Sequence, residues 1–242
     1  MALFVGTSGW SYKEWQPAIY PPGLATADFL RHYATIFTAC EINATHYRVP
    51  TPDAVARWAD AVPDDFRFAV KAHRRLTDRP TLAWTAADVA FFRRFLDALA
   101  PLGDKLGPVL IQPADEQVRD DDALDTILDA LPAGQPAVFE LRHPSWNDPA
   151  VTARVADAGA CICVTETDGH APSDVPSGAP LYVRLRGTRY DSSARTAWRD
   201  RLAREARQRP VYMIARHEGL PPDDPHAGVA MARWVLTSTA NQ

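Results

Sequence analysis

Short runs rich in β-branched and aromatic residues recur along the chain at 4–6, 40–43, 66–70, 108–111, 137–141, 161–164, 181–185 and 211–214. Between several of them the apolar residues fall three or four apart, the period of a helix. Phe29, Leu30, Tyr33, Ile36 and Phe37 follow Asp28; Val89, Phe92, Phe95 and Leu96 follow Asp88; Leu124, Ile127, Leu128 and Leu131 follow Asp120, Asp121 and Asp122. An acidic residue suits the positive end of a helix dipole, so helices are expected to open at those aspartates. Eight strands alternating with helices predict parallel pairing through right-handed crossovers and closure into a single (β/α)8 TIM-barrel domain over 1–242. An open doubly wound sheet fits less well, because no strand-to-helix turn carries a Gly-x-Gly-x-x-Gly or Gly-Lys-Ser/Thr phosphate loop. No composition shift, low-complexity tract or literal repeat divides the chain. Loops 169–180 and 219–228, rich in Pro, Gly and Ser, follow late strands, where barrels build substrate lids as well as plain surface loops.

Side chains alternate along a strand, so residues two apart share a face, and in a small barrel one face meets the axis while the other lies under helices. A charge on the helix side would be costly. This parity groups Glu41, Asn43 and Thr45; Lys71 and His73; Leu110 and Gln112; Glu140 and Arg142; Tyr182, Arg184 and Arg186; and Ile214 and Arg216. The opposite faces, such as Val109 and Ile111, Phe139 and Leu141, or Val183 and Leu185, are apolar. The polar set therefore converges on the axis near the carboxyl ends of the strands, where barrel enzymes do their chemistry, with Glu166 and Asp168 at the rim.

The overall composition is that of a chain able to bury a core, 46% hydrophobic and 23% charged. A net charge of −4 excludes a general coat for duplex DNA. The charge is unevenly placed: residues 181–216 hold ten arginines against Asp191, Asp200 and Glu205. Arg199, Arg201, Arg204, Arg207 and Arg209 read as the solvated face of a helix with Trp198, Leu202 and Ala206. Arg184 and Arg186 instead interrupt an apolar strand just before Gly187-Thr188, after the seventh strand, where barrels grip phosphate. No apolar run approaches the roughly 20 residues that span a bilayer, and Met1-Ala2-Leu3-Phe4-Val5 is neither basic nor long enough for a leader, so no membrane partner and a cytoplasmic location are expected. Cys40, Cys161 and Cys163 read as reduced thiols rather than zinc ligands.

Gly6-Thr7-Ser8-Gly9-Trp10-Ser11-Tyr12 with Trp15, Tyr20-Pro21, Glu41-Ile42-Asn43 with Tyr47 and Pro50, Gln112-Pro113, Glu140-Leu141-Arg142-His143 with Trp146, and Tyr182-Val183-Arg184-Leu185 with Gly187 together resemble the YecE-like family, domain of unknown function 72, from Gly6 to about Tyr190. The resemblance implies a TIM barrel and, by overall architecture, a likeness to sugar isomerases and apurinic endonucleases; it implies no particular reaction. The chain departs from the family pattern at Arg186, where many members have His, and in ending its last strand with Arg216-His217.

Three functional readings follow. The first is an enzyme binding a phosphorylated or otherwise anionic sugar-like or nucleotide-like ligand, an isomerase or a phosphate-handling hydrolase. Arg142, Arg184, Arg186 and Arg216 would hold the anion with Asn43, Gln112, Tyr12 and Tyr47, while Glu140, Lys71 and His73 handle protons. Glu140 is equally readable as a permanently ionised partner of the cations, and His143 before Pro144 as a structural cap. The second is a non-catalytic sensor or single-stranded nucleic-acid module using the same basic mouth and aromatics. The third, a metal-assisted isomerase or endonuclease, needs several acidic and His ligands where the strand ends carry mostly cations, so neither metal nor cofactor is expected. Trp15 and Trp146 read as packing residues around the mouth.

Overall fold

The computed structural model describes residues 2–172 and 174–239; the parts of the 1–242 reading that fall on residues 1, 173 and 240–242 lie outside it. Its strands are β1 Leu3–Thr7, β2 Ala39–Ile42, β3 Arg67–Lys71, β4 Leu106–Ile111, β5 Ala137–Phe139, β6 Cys161–Ile162, β7 Val164–Glu166, β8 Leu181–Leu185 and β9 Val211–Ala215. Every ladder between them is parallel, in the order β6-β5-β4-β3-β2-β1-β9-β8-β7. The two ends of that order are halves of one strand interrupted at Cys163. The lower half pairs with β5 and the upper half with β8, while the Cys163 N–H still donates to Phe139 O at 2.8 Å. The sheet thus closes as a barrel with eight strand positions, each overlapping one of the eight predicted runs.

The helices are α1 Phe29–Tyr33, α2 Ala44–Tyr47, α3 Pro52–Asp60, α4 Arg74–Thr77, α5 Ala86–Leu99, α6 Asp121–Ala130, α7 Pro149–Asp157, α8 Ser192–Glu205 and α9 Gly228–Thr239. Asp120 caps α6 as expected, its carboxylate accepting the Ala123 N–H at 2.9 Å. Helix α5 starts three residues earlier than Asp88 predicts. Thr85 is its cap, and Asp88 reaches back to the Thr85 N–H at 3.0 Å, closing a capping box. Asp28 precedes α1 without a side-chain capping bond.

The parity of the strands sorts the core. Ala69, Leu110, Val138, Tyr182, Tyr212 and Ile214 form a buried cluster of their own inside the barrel, with Phe4 stacked on Tyr212 at 4.8 Å. Val109, Ile111, Phe139, Val183 and Leu185 belong to the larger core under the helices. Each step of two residues rises about 6.6 Å, so above the apolar layer come Glu41, Lys71, Gln112, Glu140, Thr165 and Arg184, and above them Arg142, Arg186 and Arg216.

Arg201 on α8 and Arg209 just after it are less solvated than their helical period suggests. Arg201 donates to Pro172 O at 3.1 Å, and Arg209 donates to Pro176 O at 2.8 Å while pairing with Glu205 at 2.9 Å. They strap loop 169–180 to the barrel wall. Glu166 works from the other side, accepting from Tyr190 Oη at 2.6 Å and from the backbone N–H of Gly169 and Gly187. Glu166 therefore faces outward rather than the rim of the axis, and Asp168 accepts the His170 N–H at 2.9 Å.

Truncating the interior layer should be costly. Ile214→Ala is expected to lower the unfolding free energy by about 2–5 kcal/mol in urea denaturation, because the site is fully enclosed and cannot collapse onto a smaller side chain.

Candidate functional site

At the carboxyl ends of the strands the barrel opens into a cavity of about 540 Å³, within the usual range for small-ligand sites. Its walls carry Tyr12, Asn43, Tyr47, Lys71, Gln112, Arg142, Arg184, Arg186 and Arg216, all expected from the sequence, together with Ser8, His46, His217 and Glu218. A wider hollow of about 790 Å³ lies at the other end, among Ala2, Phe4, Arg67, Tyr212 and proline- and glycine-rich turns.

The floor is a closed charge network. Arg184, 6% exposed, donates from Nη2 to Glu41 Oε1 at 2.8 Å, from Nη1 to Glu140 Oε2, and to Gln112 Oε1 at 3.2 Å. Tyr182 Oη donates to the other Glu41 oxygen at 2.8 Å. Glu140 also accepts from Thr165 Oγ1 at 2.7 Å and from Arg142 Nη2 at 2.9 Å. Burial opposes the ionisation of both glutamates, but Arg184 outweighs it, joined by Arg186 and Tyr182 at Glu41 and by Arg142 and Thr165 at Glu140. Both carboxyls are thereby held below the ordinary value of 4.5. Of the two roles open to Glu140, this geometry favours the ionised counter-ion over the proton carrier, since Arg142 and Thr165 donate to Oε1 and Arg184 to Oε2.

The upper walls are less completely paired. Arg186 Nη1 donates to Ser8 Oγ at 3.3 Å and Nη2 lies 3.6 Å from Glu41. Arg216 donates to Arg186 O at 3.2 Å. Arg184 Nε and Arg186 Nη2 are buried with no hydrogen-bond partner among the described residues. Ser8 Oγ lies 3.0 Å from His217 Nδ1, and the His217 ring stacks on Tyr12 at 4.1 Å. Tyr12 reaches there because Gly9 turns the chain with φ of 102°, where a Cβ would lie 2.3 Å from the Tyr12 hydroxyl oxygen.

The β2 and β3 ends are stitched together. Thr45 Oγ1 donates to Ile42 O at 2.7 Å and to Lys71 O at 2.8 Å, and the His46 ring bonds Ala72 O at 3.0 Å through Nδ1. A carbonyl only accepts, so Nδ1 carries the proton and Nε2 keeps its lone pair. Burial, joined by the Lys71 charge against the Ala72 bond, lowers the pKa of His46 below 6.5. Burial, then Arg184 and Arg142 against Glu41 and Glu140, lowers that of Lys71 below 10.5.

His73 does not join this group. Strand β3 ends at Lys71, and the His73 Nδ1 caps α4 by accepting the Arg75 N–H at 3.1 Å, its ring packed edge-on against Phe91. Thr45 likewise leaves the β2 face, because the chain turns helical after Asn43. His143 caps the next turn by accepting the Ser145 N–H at 3.2 Å, and Trp15 and Trp146 are buried packing residues. Of loops 169–180 and 219–228, no described residue lines the cavity. Among the described residues no three His, Cys, Asp or Glu side chains stand together as metal ligands, and no helix is long and apolar enough to cross a membrane. The three cysteines are free thiols.

Fold and site together define an α/β-barrel protein with a basic cavity at the carboxyl ends of its strands. The chain belongs to the family described as protein of unknown function DUF72, which residues 4–237 match. It is 31% identical over 145 residues to the UPF0759 protein YecE of Escherichia coli K12, a match covering 60% of this chain and 50% of that one. With the UPF0759 protein YunF of Bacillus subtilis it shares 26% over 153 residues, 61% and 53% of the two chains. The chain thus spans about half the length of these curated relatives. Among solved structures, a DUF72 family protein from Thermotoga maritima superposes with a TM-score of 0.76 at 18% identity, covering 99% of this chain and 100% of that one. Another from Enterococcus faecalis gives 0.72 at 16%, covering 100% and 98%. At those identities the likeness is one of fold.

Removing the central cation should leave two buried carboxylates facing each other. Arg184→Met is expected to lower stability by about 3–5 kcal/mol in urea denaturation at pH 7. The same pairs give stability a pH dependence. Glu41 and Glu140 have folded pKa values below the unfolded one, so their contribution is complete above about pH 5 and is lost as pH falls through the folded values. The urea midpoint should therefore drop between pH 5 and pH 3, and by less in Tyr182→Phe, which removes one donor to Glu41.

Proposed function

We propose that the protein is an enzyme that binds a small phosphorylated or otherwise anionic ligand, sugar-like or nucleotide-like, in the cavity at the carboxyl end of the barrel. The observation that carries this reading is the excess of donors there. Each oxygen of the floor glutamates already accepts from Arg184, Arg142, Tyr182 or Thr165, while Lys71, Arg186 and Arg216 remain around the open volume with few acceptors. A phosphate or carboxylate supplies the acceptor oxygens that this surplus lacks, and guanidinium groups match its geometry. Tyr47, 68% exposed at the rim, offers a face on which a sugar ring or base can stack.

Arg142, Arg186 and Arg216 are assigned to the anion, Asn43, Gln112 and Tyr12 to the uncharged part of the ligand, and Lys71 with His46 to proton movement. Arg184 and Glu140 hold the floor rigid beneath them. A metal-assisted isomerase or endonuclease is the less favoured alternative, since the cavity wall sets Lys71 and four arginines beside His46, His217 and Glu218, and among the described residues no three His, Cys, Asp or Glu side chains stand together as metal ligands.

Arg216 tests the reading better than Arg184, whose removal would also damage the fold. Calorimetric titration with inorganic phosphate should show binding that weakens about tenfold or more in Arg216→Ala and in Arg186→Ala. Unchanged affinity in both would reject the anion site. Binding of single-stranded oligonucleotides with a steep salt dependence, and none of phosphate, would instead favour the nucleic-acid module, for which exposed Tyr47 is the supporting feature.

A further inference from the structure

Lys71 stands apart from the other cations of the cavity. Arg142, Arg184, Arg186 and Arg216 each hydrogen-bond a carboxylate, a hydroxyl or a backbone carbonyl. Lys105, elsewhere in the fold, donates to Ala59 O and Val62 O at 2.9 Å each and pairs with Asp64 at 3.1 Å. The Lys71 amine has no hydrogen-bond or ion-pair partner among the described residues, although it is half-buried and lines the cavity. Its backbone is pinned by Thr45, so the stem starts from a fixed point. In a chain with 23 arginines and three lysines, a cation needed only for charge would be met as well by arginine. What lysine adds is a nitrogen that can lose its proton and attack.

The surroundings supply the rest of what such a nitrogen needs. Burial and the neighbouring Arg184 favour the neutral amine. His46, on the adjoining turn and also on the cavity wall, has its Nδ1 proton committed to Ala72 O, which leaves Nε2 as a base. Glu41 and Glu140 contribute negative charge from below, which tempers the cost of placing a cationic nitrogen among arginines.

We propose that Lys71 forms a protonated imine with an aldehyde or ketone that also bears a phosphate or carboxylate, Arg186 and Arg216 holding the anion and His46 relaying protons. This assignment rests on the anion-binding reading above and narrows its ligand to a carbonyl compound. The step balances without an oxidant or reductant. The Lys71 ammonium yields a proton to His46 Nε2, and the freed lone pair bonds to the carbonyl carbon while the C=O π pair moves to oxygen. The nitrogen gives one proton to that oxygen, forming a carbinolamine. The nitrogen lone pair then expels the hydroxyl, which departs as water with the proton returned by His46. Ammonium and carbonyl become iminium and water. The iminium withdraws electrons from the adjacent C–H and C–C bonds, the activation that isomerisation and aldol-type cleavage require.

Reductive trapping tests this. The intact protein is incubated with glyceraldehyde 3-phosphate or with glyceraldehyde, reduced with borohydride, and mapped by peptide mass spectrometry, where Lys13, Lys71 and Lys105 are the side-chain amines that can report. The phosphorylated probe should label Lys71 at about a tenfold lower concentration than the neutral one, and before Lys13 or Lys105. Lys71→Arg should keep its circular dichroism and phosphate affinity and lose the adduct; His46→Gln should form it more slowly. Labelling spread evenly over the three lysines, or indifferent to the phosphate, overturns the proposal. Phosphate binding without any trapped adduct removes the imine and leaves the anion site standing, whereas absence of phosphate binding removes both.

Discussion

Arg184 is the interaction on which the site depends. Its guanidinium stands near the barrel axis, all but enclosed, and ties Glu41 on β2, Gln112 after β4 and Glu140 after β5 to β8. Those four positions lie on different sides of the barrel, so one planar cation spans the interior where an apolar layer would otherwise continue. Isolated charges at that depth would be strongly disfavoured. Two carboxylates, a phenol, a hydroxyl and an amide around the arginine turn the cost into a specific geometry, and that geometry sets the floor on which the open cavity rests. The contacts that make the glutamates tolerable inside the barrel also hold them ionised.

Much of this was legible because a strand repeats every two residues. The alternation that placed Leu110 and Tyr182 inside also placed Gln112 and Arg184 there, and it holds one residue beyond the strands wherever the ladder continues. Glu140 N–H bonds Ile111 O, Arg186 N–H bonds Glu166 O, and Arg216 N–H bonds Leu185 O, so those side chains keep the parity of the strand before them. Where the chain turns helical the rule ends. Thr45 and His73 follow β2 and β3 by three and two residues, and both serve local turns rather than the axis.

The same break hid His46. Period two sends it to the outer face, while the four-residue helix α2 rotates it toward Lys71 and the cavity. A segment of four residues is too short to display a helical period, so Asn43 standing before Ala44-Thr45-His46-Tyr47 was the one local hint that the strand had ended. The arginines on and just after α8 erred in the opposite direction. A helical face rich in charge usually faces water, but Arg201 and Arg209 meet the backbone carbonyls of loop 169–180, a contact between segments about thirty residues apart that no local pattern encodes.

The layering of the barrel separates structure from chemistry by height. The lowest axial layer is apolar and packs; the middle layer is charged yet neutralised within itself; the third retains donors that the protein does not satisfy. Lys71 belongs to the middle layer yet lines the open cavity. Burial and the neighbouring Arg184 disfavour its ammonium, and no carboxylate pairs with it directly. An arginine in its place would extend the donor surplus without adding reactivity, and a residue one layer lower would fall among the apolar side chains inside the barrel. Its position, rather than its charge, makes it the group in the cavity best suited to bond formation with a ligand.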